Sequence, residues 1–376
     1  MIFDDLDSLE AARTRIKVIG VGGAGKNAID HMIENDVQGV EYVAINTDCQ
    51  VLRSSRAENR LQIGKKLTKG LGAGANPEVG RRAAEESEQE LREVLAGSEL
   101  VFITTGMGGG TGTGAAPIIA RYAKESEALV VAIVTKPFTF EGKRRMQQAL
   151  KGIEEMRPYV DTMVIIPNDK LLEINGHDMT YIEAFNQADN ILRKGVQGIS
   201  EIINFPGLMN VDFNDVKTVL KGKGTALMGI GTGSGANRAV DAARAAINSP
   251  LLEIDINGAT DAIVQITSDV DITIGEVNDV MNEIRNASST EIDLIVGTGF
   301  NLDLHGDIVV TVIATGFDTI ESKRKKGEST IESFTNRPTQ QPTTQHTINV
   351  TSGQTEEPRD KNKQSKVPSW LQNRFK

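Results

Sequence analysis

The chain has one cysteine, one tryptophan and four tyrosines in 376 residues. A single thiol excludes an intrachain disulfide and fits a reducing compartment. Cys49, beside a strand end, reads as a small buried apolar residue. The four histidines, His31, His177, His305 and His346, are scattered without zinc spacing, so no protein-held metal is expected. No stretch approaches the ~20 apolar residues of a membrane helix, and Met1–Arg13 carries no secretory pattern. The expectation is a cytoplasmic protein that reaches a membrane only through a partner. Positive charge is also short. Lys and Arg number 41 against 51 Asp and Glu, a net charge of −10, which disfavours a nucleic-acid partner. The deficit is uneven: residues 321–376 carry eleven basic and six acidic side chains, leaving −15 on the rest.

What the chain has in plenty is glycine, 37 residues of it. The densest run follows the apolar segment Val101–Thr105: Gly106, Gly108, Gly109, Gly110, Gly112 and Gly114, broken only by Met107, Thr111 and Thr113. Between a strand and a helix (Ala115 to Ser126), such a loop aims backbone N–H groups at an anion, and the two Thr hydroxyls add donors. A second loop follows the strand Ile16–Gly20: Val21-Gly-Gly-Ala-Gly-Lys-Asn27. It matches the dinucleotide fingerprint (Gly20, Gly22, Gly25), with Asp48 placed to hold a ribose. It also nearly matches a P-loop, except that Asn27 replaces the magnesium-binding hydroxyl. A third loop, Gly70–Pro77, leads into a predicted helix Glu78–Ala96, with Asn76 as N-cap, Pro77 at the first position and Gly97 past the end. A dinucleotide needs one such loop. Three favour a nucleoside triphosphate, and a nicotinamide-dependent oxidoreductase is the alternative from another class.

Strand–helix alternation to about Ile166 predicts an α/β fold with a doubly wound, Rossmann-like parallel sheet, its clearest strands being Ile16–Gly20, Tyr42–Asn46, Leu100–Thr105, Val130–Thr135 and Thr162–Pro167. A long helix follows, opened by a Thr180–Glu183 capping box and stopped by Pro206-Gly207. Strands at Thr225–Gly231, Leu251–Ile256, Ala262–Thr267, Ile292–Gly297 and Ile308–Ala314, with helices Asn237–Ile247 and Gly275–Asn286, predict an α+β second domain. The expected organisation is an extension (1–12), a nucleotide domain (13–180), a central helix (181–204), a C-terminal domain with a polar loop at its start (205–318), a disordered linker (319–366) and an apolar-basic peptide (367–376). Residues 335–366 have only Ile348 and Val350 as strong hydrophobes, too few to bury a core. Trp370, Leu371 and Phe375 beyond them, flanked by Lys366, Arg374 and Lys376, look like a partner-docking anchor.

Gly108-Gly-Gly-Thr-Gly-Thr-Gly114 is the tubulin signature. With Gly70–Pro77, Pro137–Arg145, Ile166–Asp169, Asn210–Asp215 and Val309–Phe317 in the same order, the chain resembles the FtsZ family, the bacterial tubulin-like cell-division GTPases, from about Arg13 to Phe317 and again at its C-terminus. Ala24 and Lys26 depart from the family's usual Gly and Asn, and Lys26 stands to add charge near the phosphates.

The resemblance implies a GTPase that polymerises head to tail and forms the division ring at the septum. It implies GTP or GDP with Mg2+ as cofactors, and itself, plus membrane-tethering and regulatory division proteins, as partners. It assigns Gly22, Gly23, Ala24, Gly25, Lys26 and Asn27 to the nucleotide from below, with Gly110, Thr111 and Gly112 closing on the phosphates. Ala73 and Gly74 would face the γ-phosphate, Glu141 and Arg145 the ribose and phosphate edge, and Asn168 the base and sugar. Phe185 would stack on guanine while Asp189 accepts its N1–H and amine. Those two donors are absent from adenine, so a carboxylate is a physical reason for GTP over ATP. Asn210, Asp212 and Asp215 would complete hydrolysis in the adjacent subunit. From spacing alone, Asp212 and Asp215 read sooner as a helix N-cap with a favourable first-turn acid.

Overall fold

The computed structural model describes residues 14–175, 179–204, 211–252, 256–289 and 291–317. The expectations for residues 1–12, Asn210, the linker and the terminal peptide lie outside those residues. Six strands, β1 (Ile16–Val21), β2 (Glu41–Asn46), β3 (Asn59–Gln62), β4 (Leu100–Gly106), β5 (Leu129–Lys136) and β6 (Thr162–Pro167), pair in parallel in the order β3-β2-β1-β4-β5-β6. Parallel neighbours need crossovers. Here these are α1 (Gly22–Glu34), α2 (Pro77–Glu86), α3 (Glu88–Leu95), α4 (Thr111–Glu125) and α5 (Lys143–Met156). Apolar residues therefore fill both faces of the strands. Val18, Phe102, Val131 and Ile133 pack in one cluster with Ile29 of α1, while Ile19, Ile103, Ala132 and Val134 pack in another with Ile119 and Ala123 of α4. The strand order reverses between β1 and β4, which opens a crevice past their C-terminal ends.

After α6 (Asn168–Asn175) runs α7 (Tyr181–Asn204), 24 residues long. Its start is the expected box: Thr180 N–H donates to Glu183 Oε2 at 2.7 Å, and Glu183 N–H to Thr180 Oγ1 at 3.3 Å. Its apolar stripe, Ala188, Leu192, Val196 and Ile199, joins the first cluster. At its far end Asn204 Nδ2 donates to Gly39 O, just ahead of β2. The helix thus crosses from the C-terminal edge of the parallel strands to their N-terminal edge.

The rest comprises α8 (Phe213–Leu220), β7 (Gly224–Gly233), α9 (Arg238–Ile247), β8 (Asp261–Ser268), α10 (Ile274–Asn286), β9 (Asp293–Phe300) and β10 (Ile308–Thr315), continuing the sheet as β6-β7-β10-β8-β9. β7 pairs with β6 in parallel through Gly224, Thr225 and Ala226, then with β10 antiparallel from Leu227 to Gly233. Gly229, Gly231 and Gly233 alternate along it because α9 lies against its backbone. A Cβ on each would fall within about 2 Å of the carbonyl oxygens of Ala246, Ala242 and Arg238, respectively.

Four local expectations change. The helix expected over Glu78–Ala96 is two, α2 and α3, broken at Ser87. The buried Ser87 Oγ accepts the N–H of Gly64 at 3.0 Å, a tertiary tie that holds the residue off helical geometry. Leu251 and Leu252 form a turn rather than a strand. Pro250 has no N–H to give a ladder, and Leu252 N–H bonds back to Ser249 O. Strand β3 is an addition, since Asn59-Arg-Leu-Gln62 has no apolar alternation to announce it. Cys49 is half-exposed rather than buried.

Candidate functional site

Two strand–helix junctions meet at the crevice. β1 passes at Val21 directly into α1, and Gly22 takes φ +75°, with room for no side chain: a Cβ there would sit 3.0 Å from Gly112 N. β4 ends at Gly106, and its loop enters α4 at Thr111. Neither helix has an acid in its first turn, so two positive helix ends face the same space. The third loop closes in as well. Asn76 caps α2, its side chain accepting from Glu78 N–H at 3.1 Å, and a Cβ on Gly110 would lie 2.8 Å from Cβ of Ala73. Thr111 Oγ1 is tied to Thr47 Oγ1 at 2.7 Å. Thr113, expected to face an anion, instead accepts the N–H of Gly108 at 2.8 Å and braces the loop from within.

The space enclosed is a cavity of about 400 Å³. Of the residues singled out from sequence, Gly22, Gly23, Ala24, Asn27, Gly110, Thr111, Gly112, Glu141, Arg145, Asn168, Phe185 and Asp189 line it. Gly25, Lys26, Ala73 and Gly74 do not. Gly25 is buried behind the wall, where a Cβ would meet Thr104 O at 2.5 Å. Lys26 turns its ammonium away to Asp30 Oδ2, 2.7 Å off, which corrects the expectation that it adds charge at the phosphates. Ala73 lies against Gly110, and Gly74 next to it is exposed. Residues not anticipated also line the cavity, notably Thr135 of β5, Pro137 just past its end and Tyr181 on α7. Tyr181 is legible in hindsight: it stands one helical turn before Phe185, and their rings lie 4.8 Å apart.

Glu141 does two things. Its Oε1 accepts Phe138 N–H at 2.9 Å, and its Oε2 pairs with Arg145. Asp169 holds the same segment by accepting the N–H and hydroxyl of Thr139. Asn168 is only 4 % exposed, and its Oδ1 has no hydrogen-bond partner among the described residues. Burial pushes Asp189 up to about 7. Lys26 opposes that rise, and Asp30 adds to it. Asp48, the ribose ligand of a dinucleotide reading, is occupied otherwise: its Oδ1 caps the turn Cys49–Arg53 by accepting Gln50 and Val51 N–H.

Asp212 and Asp215 are exposed and remote from this cavity. Asp212 caps α8 by accepting Asp215 N–H at 2.9 Å. Helix α8 feeds β7 at Gly224, which pairs with Thr162 at the first residue of β6, so both acids belong to the edge of the sheet opposite the crevice.

A parallel sheet with glycine loops from several crossovers at its switch point defines a nucleotide-binding α/β protein, here with a central helix and a second sheet portion. Residues 15–176 match the Tubulin/FtsZ family GTPase domain and residues 224–318 the FtsZ family C-terminal domain. An empty FtsZ dimer from M. jannaschii is 42% identical with a TM-score of 0.80, covering 84% of this chain and 91% of that one. Two Haloferax volcanii proteins at 21% identity share the fold. CetZ1, a GDP-bound monomer, has a TM-score of 0.70 over 81% of this chain and 94% of its own. CetZ2, a GTPγS-bound protofilament, has 0.68 over 86% and 100%. The chain belongs to the FtsZ family of tubulin-like GTPases. The family implies a guanine nucleotide, and the cavity fits one. It offers an unpartnered acceptor on buried Asn168, a carboxylate whose burial leaves it in need of donors, an aromatic face on Phe185, and two helix N-termini for phosphate.

Proposed function

We propose that the chain binds GTP in this cavity, polymerises head to tail, and completes hydrolysis with the acidic loop of the adjacent subunit. Helix α7 carries the reading. Its first turns carry Phe185 and Asp189 on the cavity, and it ends at Asn204 on the opposite edge, after which come Asp212 and Asp215. At 1.5 Å per residue the stretch from these cavity residues to Asn204 spans roughly 22–28 Å. A carboxylate that far away cannot orient water on its own subunit's γ-phosphate, but one on a subunit stacked above can. Phosphoryl transfer needs that positioning more than covalent help.

In this reading Gly22, Gly23, Ala24 and Asn27 with Gly110 to Gly112 take the phosphates, Ala73 and Gly74 belong to the loop that closes on the terminal one, and Glu141, Arg145 and Asn168 hold the sugar side. Phe185 and Asp189 take the base. Among the described residues no three His, Cys, Asp or Glu side chains converge on a metal. Mg2+ would accompany the nucleotide, held mainly by the phosphates, where it would neutralise charge. Residues 13–180 then act as the nucleotide domain, 181–204 as the connecting rod, and 205–318 as the domain that presents Asn210, Asp212 and Asp215. The segment 319–366 is a tether for a docking peptide, 367–376, that binds membrane-tethering and regulatory division proteins. The filament forms the cytoplasmic division ring at the septum.

GTP hydrolysis measured against protein concentration tests this: a threshold is expected, and a rate per subunit independent of concentration overturns it. Mixing Asp212→Asn with Asn27→Ala subunits tests the trans arrangement, because one retains the pocket and the other the loop. Activity should return in the mixture. None at any ratio, with co-assembly demonstrated, rejects hydrolysis in trans.

A further inference from the structure

Tyr181 is the first residue of α7, and it is 67 % exposed although it lines the cavity. An exposed aromatic ring by itself is ordinary; this one is held from two sides. Its centroid lies 4.8 Å from that of Phe185 on the same helix, and 5.9 Å from that of Phe140 in the turn Thr139–Glu141, between β5 and α5. Phe140 stacks on Phe138, with centroids 5.0 Å apart and planes 13° from parallel. Phe138 in turn meets Phe185 edge-on at 5.3 Å. The four rings close a cycle. Of the four, Tyr181 and Phe185 line the cavity, while the fully buried Phe138 and its neighbour Phe140 back them. The backing segment is pinned as well, since Asp169 accepts the N–H and hydroxyl of Thr139 and Glu141 accepts Phe138 N–H. A ring already held by two others loses little freedom when a ligand covers it.

Tyr181, Phe185 and Asp189 recur at every fourth residue, so they form one row along α7, and all three line the cavity. We infer that Tyr181 is a second base-contacting residue, which extends the Phe185 platform to the imidazole end of the purine. The inference rests on Phe185 and Asp189 taking the guanine. The N1–H and amine that Asp189 accepts lie on the pyrimidine end of the base. With that end at Asp189 and the face on Phe185, the imidazole end is left for the ring one turn earlier. That end is the same in every purine, so Tyr181 adds affinity without choosing the base, and Asp189 does the choosing. Stacking of this kind tolerates any base because each presents a π-face. The ring of Tyr181 is therefore what matters, and its hydroxyl is dispensable.

Calorimetric titration of the full-length chain with GDP and with inosine diphosphate, which lacks the amine but keeps the imidazole end, tests this. Tyr181→Ala should weaken both about tenfold, the effect of losing one base–ring stack, and leave the ratio of the two affinities unchanged. Tyr181→Phe, which keeps the ring, should restore both. Phe140→Ala removes the support and not the contact, so it should weaken both by less, and by nothing further in a Tyr181→Ala background. A helix start that was merely disturbed would move Phe185 and Asp189 as well and change the ratio. GDP affinity within twofold of the parent's in Tyr181→Ala, a changed ratio, or no restoration by Tyr181→Phe overturns the inference. Should Tyr181→Ala not fold, Tyr181→Leu, with apolar bulk and no flat ring, decides in the same way. If the parent binds neither nucleotide, or Asp189→Asn leaves the ratio intact, the guanine reading itself fails. If Asp189→Asn abolishes the preference for GDP while Tyr181→Ala binds GDP as the parent does, only the role of Tyr181 falls.

Discussion

The carboxylate of Asp212 accepts the backbone N–H of Asp215 at 2.9 Å, so the acid proposed for catalysis is also the cap of its own helix. Alanine at 212 would remove both functions, and loss of an N-cap alone costs about 1 kcal/mol. Asparagine keeps the acceptor and removes the charge. Asp212→Asn is therefore expected to bind GTP, assemble and melt like the parent while hydrolysing at least tenfold more slowly. Nucleotide-binding, pelleting, unfolding and phosphate-release assays on the one variant check all four outcomes.

Asp189 sets a pH dependence. Its pKa of about 7 means that its two-acceptor form is lost as the pH falls through that value. GDP affinity should drop about tenfold from pH 8 to pH 6 in the parent and stay flat in Asp189→Asn. At pH 8 the variant should bind GTP at least tenfold more weakly, with GTP no longer preferred over ATP, because an amide donor would face a guanine donor. Stability runs the other way. A carboxyl whose folded pKa is raised above its unfolded value favours folding at low pH, and that contribution is lost as the pH rises from about 4 through 7. Nucleotide-free Asp189→Asn should thus melt higher than the parent at pH 8, as differential scanning fluorimetry would register.

Two glycines should separate folding from binding. A Cβ on Gly231 would lie 2.1 Å from Ala242 O, a backbone atom that cannot step aside cheaply. Gly231→Ala should destabilise by at least about 2 kcal/mol. Gly109 lines the cavity, and a Cβ placed on it would meet nothing within 4 Å. Gly109→Ala should leave the melting temperature within about 1–2 °C of the parent and change nucleotide affinity instead. Thermal melts and GDP titrations of the two variants check the separation.

Removing residues 367–376 should leave GTPase activity and polymerisation near the parent's while abolishing recruitment to membrane-tethered partners. Co-sedimentation of filaments with tether-bearing vesicles distinguishes the two; recruitment that survives the deletion rejects the docking peptide.

Much of this molecule is written locally. Asn76-Pro77 announces a helix start, Thr180 and Glu183 another, and the apolar runs at Leu100 and Thr162 are strands because both their faces are covered. What the sequence hid depends on distant partners. Ser87 breaks its helix on account of Gly64, 23 residues away, and β3 exists because β2 offers it an edge, not because Asn59–Gln62 favours a strand. The site divides in the same way. The glycine loops declare themselves by composition and spacing, whereas the place of Phe185 at the site is implied only by the family resemblance. The direction of Lys26 depends on Ser55 and Arg56 holding Asp30, and the bracing role of Thr113 on the N–H of Gly108.

Strand β7 has a mechanical side. Its first three residues bond only to β6 and the rest only to β10, so no rung of the ladder crosses it from one neighbour to the other. The backbone dihedrals flanking the peptide between Ala226 and Leu227 are therefore a torsional pivot within an otherwise continuous sheet. Twisting there breaks no interstrand bond. The resistance comes from α7, whose stripe packs with Ile133 and Val164 on one side and Ile263 and Ile313 on the other. It comes also from α8, whose Leu220 O accepts Thr162 Oγ1 of β6 and whose Val219 O accepts Thr315 Oγ1 of β10 at 2.9 Å. Stiffness between the two halves is thus set by the two helices that span the junction. A methylene removed from that stripe should soften the joint before it weakens either half.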